Sequence, residues 1–251
     1  MKALVTGATS GIGRCIAEYL CSLGWELVLT GRNKEALDNL KKNLNTNVYT
    51  ISADLSKHKE VFKVYNFCKK HDIDMLVNSA GFGIFGQFDE TDLESEIDMI
   101  NVNITAVHIL TKLFLRDFKR KNKGIILNVA SSAGFMTGPL LSTYYASKNY
   151  VVRLSLAIAY ELKKAKSNVK MCILCPGPVD TDFNRRAGVV FSFKPISPQF
   201  VAKYAVDNAL RGKTIIVPTF IMKAGIKCSK LLPEKIITAF TYNAQKKKLK
   251  K

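Results

Sequence analysis

The run Thr6-Gly7-Ala8-Thr9-Ser10-Gly11-Ile12-Gly13 decides how this chain is read. It follows the strand-like segment Lys2–Thr6 and leads directly into a helical pattern over Ile12–Leu23. Glycine is needed where a backbone turns sharply, and where a diphosphate must approach the main chain with no Cβ in the way. The helix start beyond offers unpaired N–H groups and the positive end of a dipole. A tight turn with no ligand would use the same residues. The place between a first strand and a first helix is the context that favours an anion cradle.

Outward from that turn the pattern keeps alternating. Strand-like segments recur at Glu26–Thr30, Val48–Ile51, Asp74–Val77, Gly124–Val129, Val169–Cys175 and Thr214–Val217. Helical stretches fall between them, near Lys34–Asn43 and His58–Lys70, with two long ones at about Leu93–Arg120 and Thr143–Lys166. The strands are short, rich in Val, Ile and Leu, and do not alternate with polar residues, as expected when both faces are buried. Right-handed crossovers then predict an α/β fold: a Rossmann-like, doubly wound parallel sheet with helices on both faces, in a single domain. Such sheets bind ligands beyond the carboxyl ends of their strands.

Composition agrees with an ordinary globular enzyme-sized chain. The 251 residues are 47% apolar and 23% charged, which excludes disorder and fibrous repeats. No apolar run reaches the ~18 residues of a spanning helix, and Met1–Val5 is too short for a secretory core, so the expected location is cytoplasmic. Six cysteines form no disulfide framework. Cys172 and Cys175 lie three apart on a strand, so their side chains should diverge. His58, His71 and His108 show no metal-ligand spacing, so no metal is implied. The formal net charge is +18, and residues 221–251 hold nine lysines against Glu234 alone. No zinc spacing or aromatic-basic platform accompanies that excess, so nucleic acid is not an expected partner.

The glycine spacing, G-x-x-x-G-x-G rather than G-x-G-x-x-G, resembles the signature of the short-chain dehydrogenase/reductase family. That resemblance makes Thr6, Gly7, Ser10, Gly11, Ile12 and Gly13 the expected cradle of a nicotinamide dinucleotide. At the end of the second strand, Gly31 stands where an acid would hydrogen-bond the ribose of NAD, and Arg32 follows. A guanidinium matches a phosphate in a bidentate way, so NADP(H) is expected in preference to NAD(H). Asp54, followed by Leu55, matches the family's adenine contact. Asn78-Ser79-Ala80-Gly81 resembles its Asn-Asn-Ala-Gly segment, with Ser79 in place of the second Asn. The resemblance implies that Asn78, Ala80 and Gly81 brace the sheet and lie along the adenosine.

The family's reacting centre is Tyr-x-x-x-Lys. Alone this motif says little, because nine tyrosines and 30 lysines give about one chance occurrence. Four occur, at Tyr65/Lys69, Tyr144/Lys148, Tyr160/Lys164 and Tyr242/Lys246. Only Tyr144/Lys148 begins the helix after the fifth strand; the other three read as exposed helix-face pairs. Residues i and i+4 share a helix face, and a neighbouring ammonium, helped by oxidised nicotinamide, is expected to lower the phenol's pKa. The resemblance implies that Tyr144 exchanges a proton with the substrate oxygen, that Ser131 polarises that oxygen (Ser132 being the alternative), and that Lys148 also holds the ribose. Asn103, or else Asn101, would hold a local helix distortion and anchor a water that relays protons to Lys148. The Asn103-Ile104-Thr105 sequon has no bearing in a cytosolic chain. Pro176, Gly177, Val179 and Thr181 match the segment that holds the carboxamide, and the family transfers the pro-S hydride.

These expectations divide the chain into a dinucleotide-binding domain over 1–245, with a specificity segment at about 182–240, and a basic tail at 246–251. Phe183, Val189, Val190, Phe191 and Phe193 are candidates for an apolar lid, or equally for core packing. The expected activity is reduction of a ketone or aldehyde (oxoacyl, steroid-like or simple), or its reverse, on a small-molecule substrate. A non-catalytic dinucleotide-binding regulator and a basic membrane-associated module are the rival readings. The last segment, Leu231–Phe240, is read as a terminal helix docked on its own subunit in preference to one lying on an anionic membrane surface. Relatives pair through their two long helices, which implies a homodimer or homotetramer.

Overall fold

The computed structural model describes residues 1–181 and 195–246. Seven parallel strands form one sheet: β1 (Lys2–Thr6), β2 (Glu26–Gly31), β3 (Val48–Ser52), β4 (Met75–Asn78), β5 (Ile125–Val129), β6 (Lys170–Leu174) and β7 (Ile215–Ile216). Their order is β3-β2-β1-β4-β5-β6-β7. The register pairs Thr6 with Thr30 on one side of β1 and Val5 with Val77 on the other. After β3 the chain crosses back over β1 to begin β4, so the order reverses between β1 and β4. Loops leaving those two strands diverge there and open the crevice in which doubly wound sheets bind ligands.

The helices are α1 (Gly11–Ser22), α2 (Lys34–Asn43), α3 (His58–Cys68), α4 (Leu93–Ile100), α5 (Val107–Lys121), α6 (Ser142–Lys164), α7 (Pro198–Leu210), α8 (Phe220–Ser229) and α9 (Glu234–Lys246). Alternation along each strand sorts the core into layers. Ala3 and Val5 pack with Ile16 and Leu20 of α1 and Val201 and Val206 of α7. Leu4 points the other way, toward Val61 and Val64 of α3 and Leu110 and Phe114 of α5. Both faces are covered, which is why the strands read as continuous apolar runs. Cys172 and Cys175 lie in different layers, and all six cysteines are free.

The first long helix expected from the sequence is interrupted. A π-helical turn, Asn101–Ala106, separates α4 from α5. Helices α7 and α8 were not anticipated, and α9 starts later and ends later than the Leu231–Phe240 segment that suggested it. Among the described residues no helix is long and apolar enough to cross a membrane. The lid candidates Phe183, Val189, Val190, Phe191 and Phe193, and tail residues 247–251, lie outside the described residues.

Candidate active site

The glycine turn is held against the loop after β4. The Thr6 hydroxyl accepts hydrogen bonds from the Ser79 and Ala80 N–H groups, both at 3.0 Å. Gly7 has φ +64°, and a Cβ there would lie 2.8 Å from the Ala80 Cα. A Cβ on Gly13 would lie 2.4 Å from the Gly7 carbonyl oxygen. Main chain therefore packs on main chain, and only glycine fits at either place. Ser10 makes no side-chain cap on α1, whose first turn carries no acidic residue. The positive helix end thus has no acidic side chain in its own first turn. A cavity of about 330 Å³ lies beside it, with Thr9, Ser10, Gly11, Arg14, Glu18, Asp180 and Thr181 among its walls. Ile12 lies half-buried in the first turn of α1. The start of α1 beside this cleft suits the anionic diphosphate of a dinucleotide, with Arg14 as well as the Glu18 and Asp180 carboxylates in the walls.

Arg32 is exposed between the end of β2 and Asn33, whose side chain caps α2 by accepting from the Ala36 N–H at 3.0 Å. Among the described residues Arg32 forms no ion pair. A Cβ on Gly31 would lie 3.1 Å from the Thr9 methyl, so the place of the missing acid is already narrow. Asp54 accepts from the Ser56 N–H at 3.1 Å, and Leu55 beside it is buried.

Behind the crevice runs a column of buried amides and hydroxyls. Asn78 donates to Asn128 at 2.8 Å and to Thr111 at 3.1 Å, and Asn128 donates to Ser155 at 2.9 Å. Asn103 sits in the π-helical turn, fully buried. Its amide oxygen accepts from the Phe82 N–H at 3.1 Å, and its amide nitrogen donates to the Phe82 carbonyl at 2.9 Å and to Ser147 at 3.1 Å. These bonds pin the loop after β4. Gly81 packs so closely that a Cβ would lie 2.9 Å from the Asn103 oxygen and 3.4 Å from Lys148 Nζ. Asn101, the alternative, is half-buried in the same turn.

Tyr144 and Lys148 project from the first turns of α6 toward this point. Lys148 Nζ lies 5.7 Å from the centre of the Tyr144 ring and donates to the Val129 carbonyl at 3.0 Å. The same ring–amine approach occurs in the other three pairs, at 4.9 to 5.9 Å, so it is generic to i, i+4 spacing. Environment separates them: Lys148 is buried, whereas Lys69, Lys164 and Lys246 are exposed. One expectation needs correcting, since Tyr65 is buried rather than exposed and donates to Asp117 at 2.8 Å.

Burial also sets the acid–base balance. It pushes the Tyr144 phenol up to about 12, while a hydrogen bond with the Ser131 hydroxyl pulls the other way. Burial lowers the Lys148 ammonium to about 8. The protein's own groups therefore move the phenol opposite to the expected direction, because taking it out of water outweighs the Ser131 hydrogen bond. The Ser131 oxygen also accepts from the Ala133 N–H at 3.1 Å. Ser132 starts the short 3₁₀ turn Ser132–Phe135, and its N–H donates to the Pro176 carbonyl at 2.8 Å.

The segment after β6 closes the crevice. Buried Pro176 leads to Gly177, where a Cβ would lie 2.6 Å from the Met222 sulfur of α8. Val179 is buried and bridges to Ile196. The Thr181 methyl lies 3.3 Å from where a Cβ on Gly11 would stand, which brings this segment against the glycine turn.

Sequence reasoning missed several residues that hold these parts. Asn149 donates to the Ala133, Met136 and Tyr145 carbonyls, at 3.1, 2.9 and 3.0 Å, and ties the 3₁₀ turn to α6. Buried Glu96 accepts from Thr143 and Thr91, both at 2.8 Å, and steadies the start of α6. Gln245 of α9 donates to the Tyr145 hydroxyl at 2.8 Å. A Glu on the inward face of α4, in step with buried Met99, was the available signal for Glu96. Nothing local marked Gln245.

The sequence model of the short chain dehydrogenase family matches residues 1–188. An uncharacterized oxidoreductase of Staphylococcus saprophyticus is 36% identical over 185 residues, covering 71% of this chain and 78% of that protein. The very-long-chain 3-oxoacyl-CoA reductase-A of Danio rerio is 37% identical over 169 residues, covering 64% of this chain and 53% of its own, so the likeness spans about half of that relative. Among solved structures, a short-chain dehydrogenase from Sphingobium yanoikuyae in complex with NADPH superposes with a TM-score of 0.83 at 26% identity, covering 91% of this chain and 92% of that one. A short chain dehydrogenase/reductase from Burkholderia phymatum in complex with NAD gives 0.82 at 25% identity, covering 90% and 91%.

Proposed function

The chain belongs to the short-chain dehydrogenase/reductase family, and from that premise we propose that it is an oxidoreductase that uses NADP(H) to interconvert a carbonyl and an alcohol. The observation that carries this reading is the buried Lys148 beside Tyr144, with Ser131 on the phenol, at the carboxyl end of the sheet. A cation is not left in a protein interior without use, because burial destabilises it.

Thr6, Gly7, Ser10, Gly11, Ile12 and Gly13 would hold the diphosphate. Asp54, Leu55, Asn78, Ala80 and Gly81 would hold the adenosine, and Pro176, Gly177, Val179 and Thr181 the carboxamide. When bound, the nicotinamide supplies or accepts the hydride. In the reductive direction Tyr144 donates its proton to the substrate oxygen, and Ser131 hydrogen-bonds and polarises the same oxygen. A phenol near 12 stays protonated across neutral pH and is therefore ready as the acid. Lys148 stabilises the phenolate left behind and binds the ribose. Asn103 holds the loop after β4 in place and anchors the proton-relay water. The exposed Arg32, which forms no ion pair among the described residues, supports a 2′-phosphate and hence NADP(H), while of the two structural relatives one is in complex with NADPH and the other with NAD. The substrate is a small molecule with a ketone, aldehyde or alcohol; the oxoacyl class is supported by the Danio rerio relative. Pairing through α4–α5 and α6 into a homodimer or homotetramer, in the cytoplasm, completes the reading.

A panel of oxoacyl thioesters, steroid-like ketones and simple carbonyls, each with NADPH, tests it through loss of the reduced-nicotinamide absorbance. Turnover of at least one class is expected. Saturable NADPH binding with no turnover in either direction would favour the non-catalytic alternative.

A further inference from the structure

The last two helices invert the usual order of burial. Helix α9 docks through Ile237, Thr241 and Gln245, spaced one turn apart and buried. Beyond the Gln245 bond to Tyr145, Thr238 shares a 2.6 Å hydrogen bond with Thr137. That accounts for one face. On the remaining surface of α8, α9 and their connection, Phe220 is 82% exposed, Ile221 77%, Leu231 85% and Phe240 71%. Leu232 and Ile236 are about half exposed, and Ile236 lies one turn before Phe240 on the same side of α9. Six large apolar side chains within 21 residues exceed the scattered exposure normal for a protein surface.

The charge around them is predominantly positive. Lys227, Lys230, Lys235 and Lys246 are exposed, and none forms an ion pair among the described residues. The sequence continues with Lys247, Lys248, Lys250 and Lys251, and Glu234 is the one acid from 221 onward. A two-fold contact between copies would bring these lysines face to face, and interface cores are depleted of lysine. A nucleic acid would use the lysines but leave the apolar residues in water. Apolar side chains that enter an acyl boundary, flanked by lysines that reach back to phosphates and carboxylates, match an anionic bilayer.

We infer that α8, α9 and the loop between them form a docking surface for an anionic lipid bilayer, which holds the protein at the membrane surface without spanning it. The inference is independent of the reaction proposed above, since it rests on exposure and charge alone.

Co-sedimentation of the full chain with phosphatidylcholine vesicles, with and without added phosphatidylserine, tests it. Two sets of substitutions separate the contributions: Ile221→Ser with Leu231→Ser and Phe240→Ser, and Lys227→Gln with Lys230→Gln and Lys235→Gln. All six positions are exposed, so thermal unfolding and NADPH binding should stay unchanged. Binding is expected with phosphatidylserine, to fall about tenfold or more in either set, and to weaken with salt. A folded chain that ignores these vesicles, or either set binding as well as the unaltered chain, overturns the inference. So does a dimer in sedimentation velocity that the serine set abolishes while no vesicle binding occurs.

Discussion

At the carboxyl ends of the strands, Lys148, Asn103 and Asn128 are buried among apolar layers, whereas on the last two helices Phe220, Ile221 and Phe240 stand in water. Each region breaks the usual partition of side chains, in opposite senses. In the first, polar groups are tolerated inside because nearly every one has a partner: Asn103 spends its amide on Phe82 and Ser147, and Asn128 on Ser155 and Asn78. In the second, apolar groups outside have no counterpart in the described chain. Both exceptions point to something the fold alone does not require, a reacting centre in one case and a partner surface in the other.

The comparison predicts that the buried region is optimised for chemistry at the expense of stability. Replacing Lys148→Met should abolish turnover and yet raise stability near neutral pH by roughly 1–2 kcal/mol, or ~2–8 °C in Tm. The sign follows from the lowered pKa. Between about 8 and the unfolded value of 10.5 the folded chain binds fewer protons than the unfolded one, so stability of the unaltered chain rises with pH through that window. The advantage of Lys148→Met should therefore be full below pH 8 and shrink toward 10.5. Thermal melts of both proteins across that range would show it, and a variant less stable at every pH would break the account of Lys148.

Asn103→Ala should behave oppositely and lose both activity and stability, by roughly 2–4 kcal/mol, because it leaves both backbone polar groups of Phe82 without this partner. Denaturant unfolding measures this; a loss below ~1 kcal/mol would mean that the amide is not the pin of the loop after β4. The smallest effect concerns the exposed Arg32. Arg32→Ala should weaken NADPH about tenfold or more, leave NADH nearly unchanged and not alter stability. Equal losses, read by titration of each dinucleotide, would remove the argument for a 2′-phosphate.

What the sequence revealed follows the same divide. The sheet was legible because burial on both faces leaves continuous runs such as Ala3-Leu4-Val5, and because Gly7, Gly11 and Gly13 mark a turn with two positive-φ positions and main chain packed on main chain. Tyr144 was separable from three competing tyrosines only by its place after β5, since ring–amine proximity is common to all four pairs. The long-range bonds left no local trace: Gln245 meets Tyr145 across 100 positions, and Glu96 meets Thr143 across 47. The direction of the Tyr144 shift was also out of reach, because spacing shows the ammonium but not how far both groups are taken from water. Helix α7 escaped notice although Ser197 accepts from the Phe200 N–H and Pro198 opens the helix, both ordinary start signals.

The central claim is that the Tyr144 hydroxyl is the proton donor and acceptor at the substrate oxygen, on the carbon that exchanges hydride. Single-turnover hydride transfer from NADPH to an accepted ketone, compared between Tyr144→Phe and the unaltered chain, tests it most directly. The account predicts unchanged NADPH affinity with transfer slowed by about 10³-fold or more. Transfer retained within about tenfold by a folded, NADPH-bound variant would contradict it.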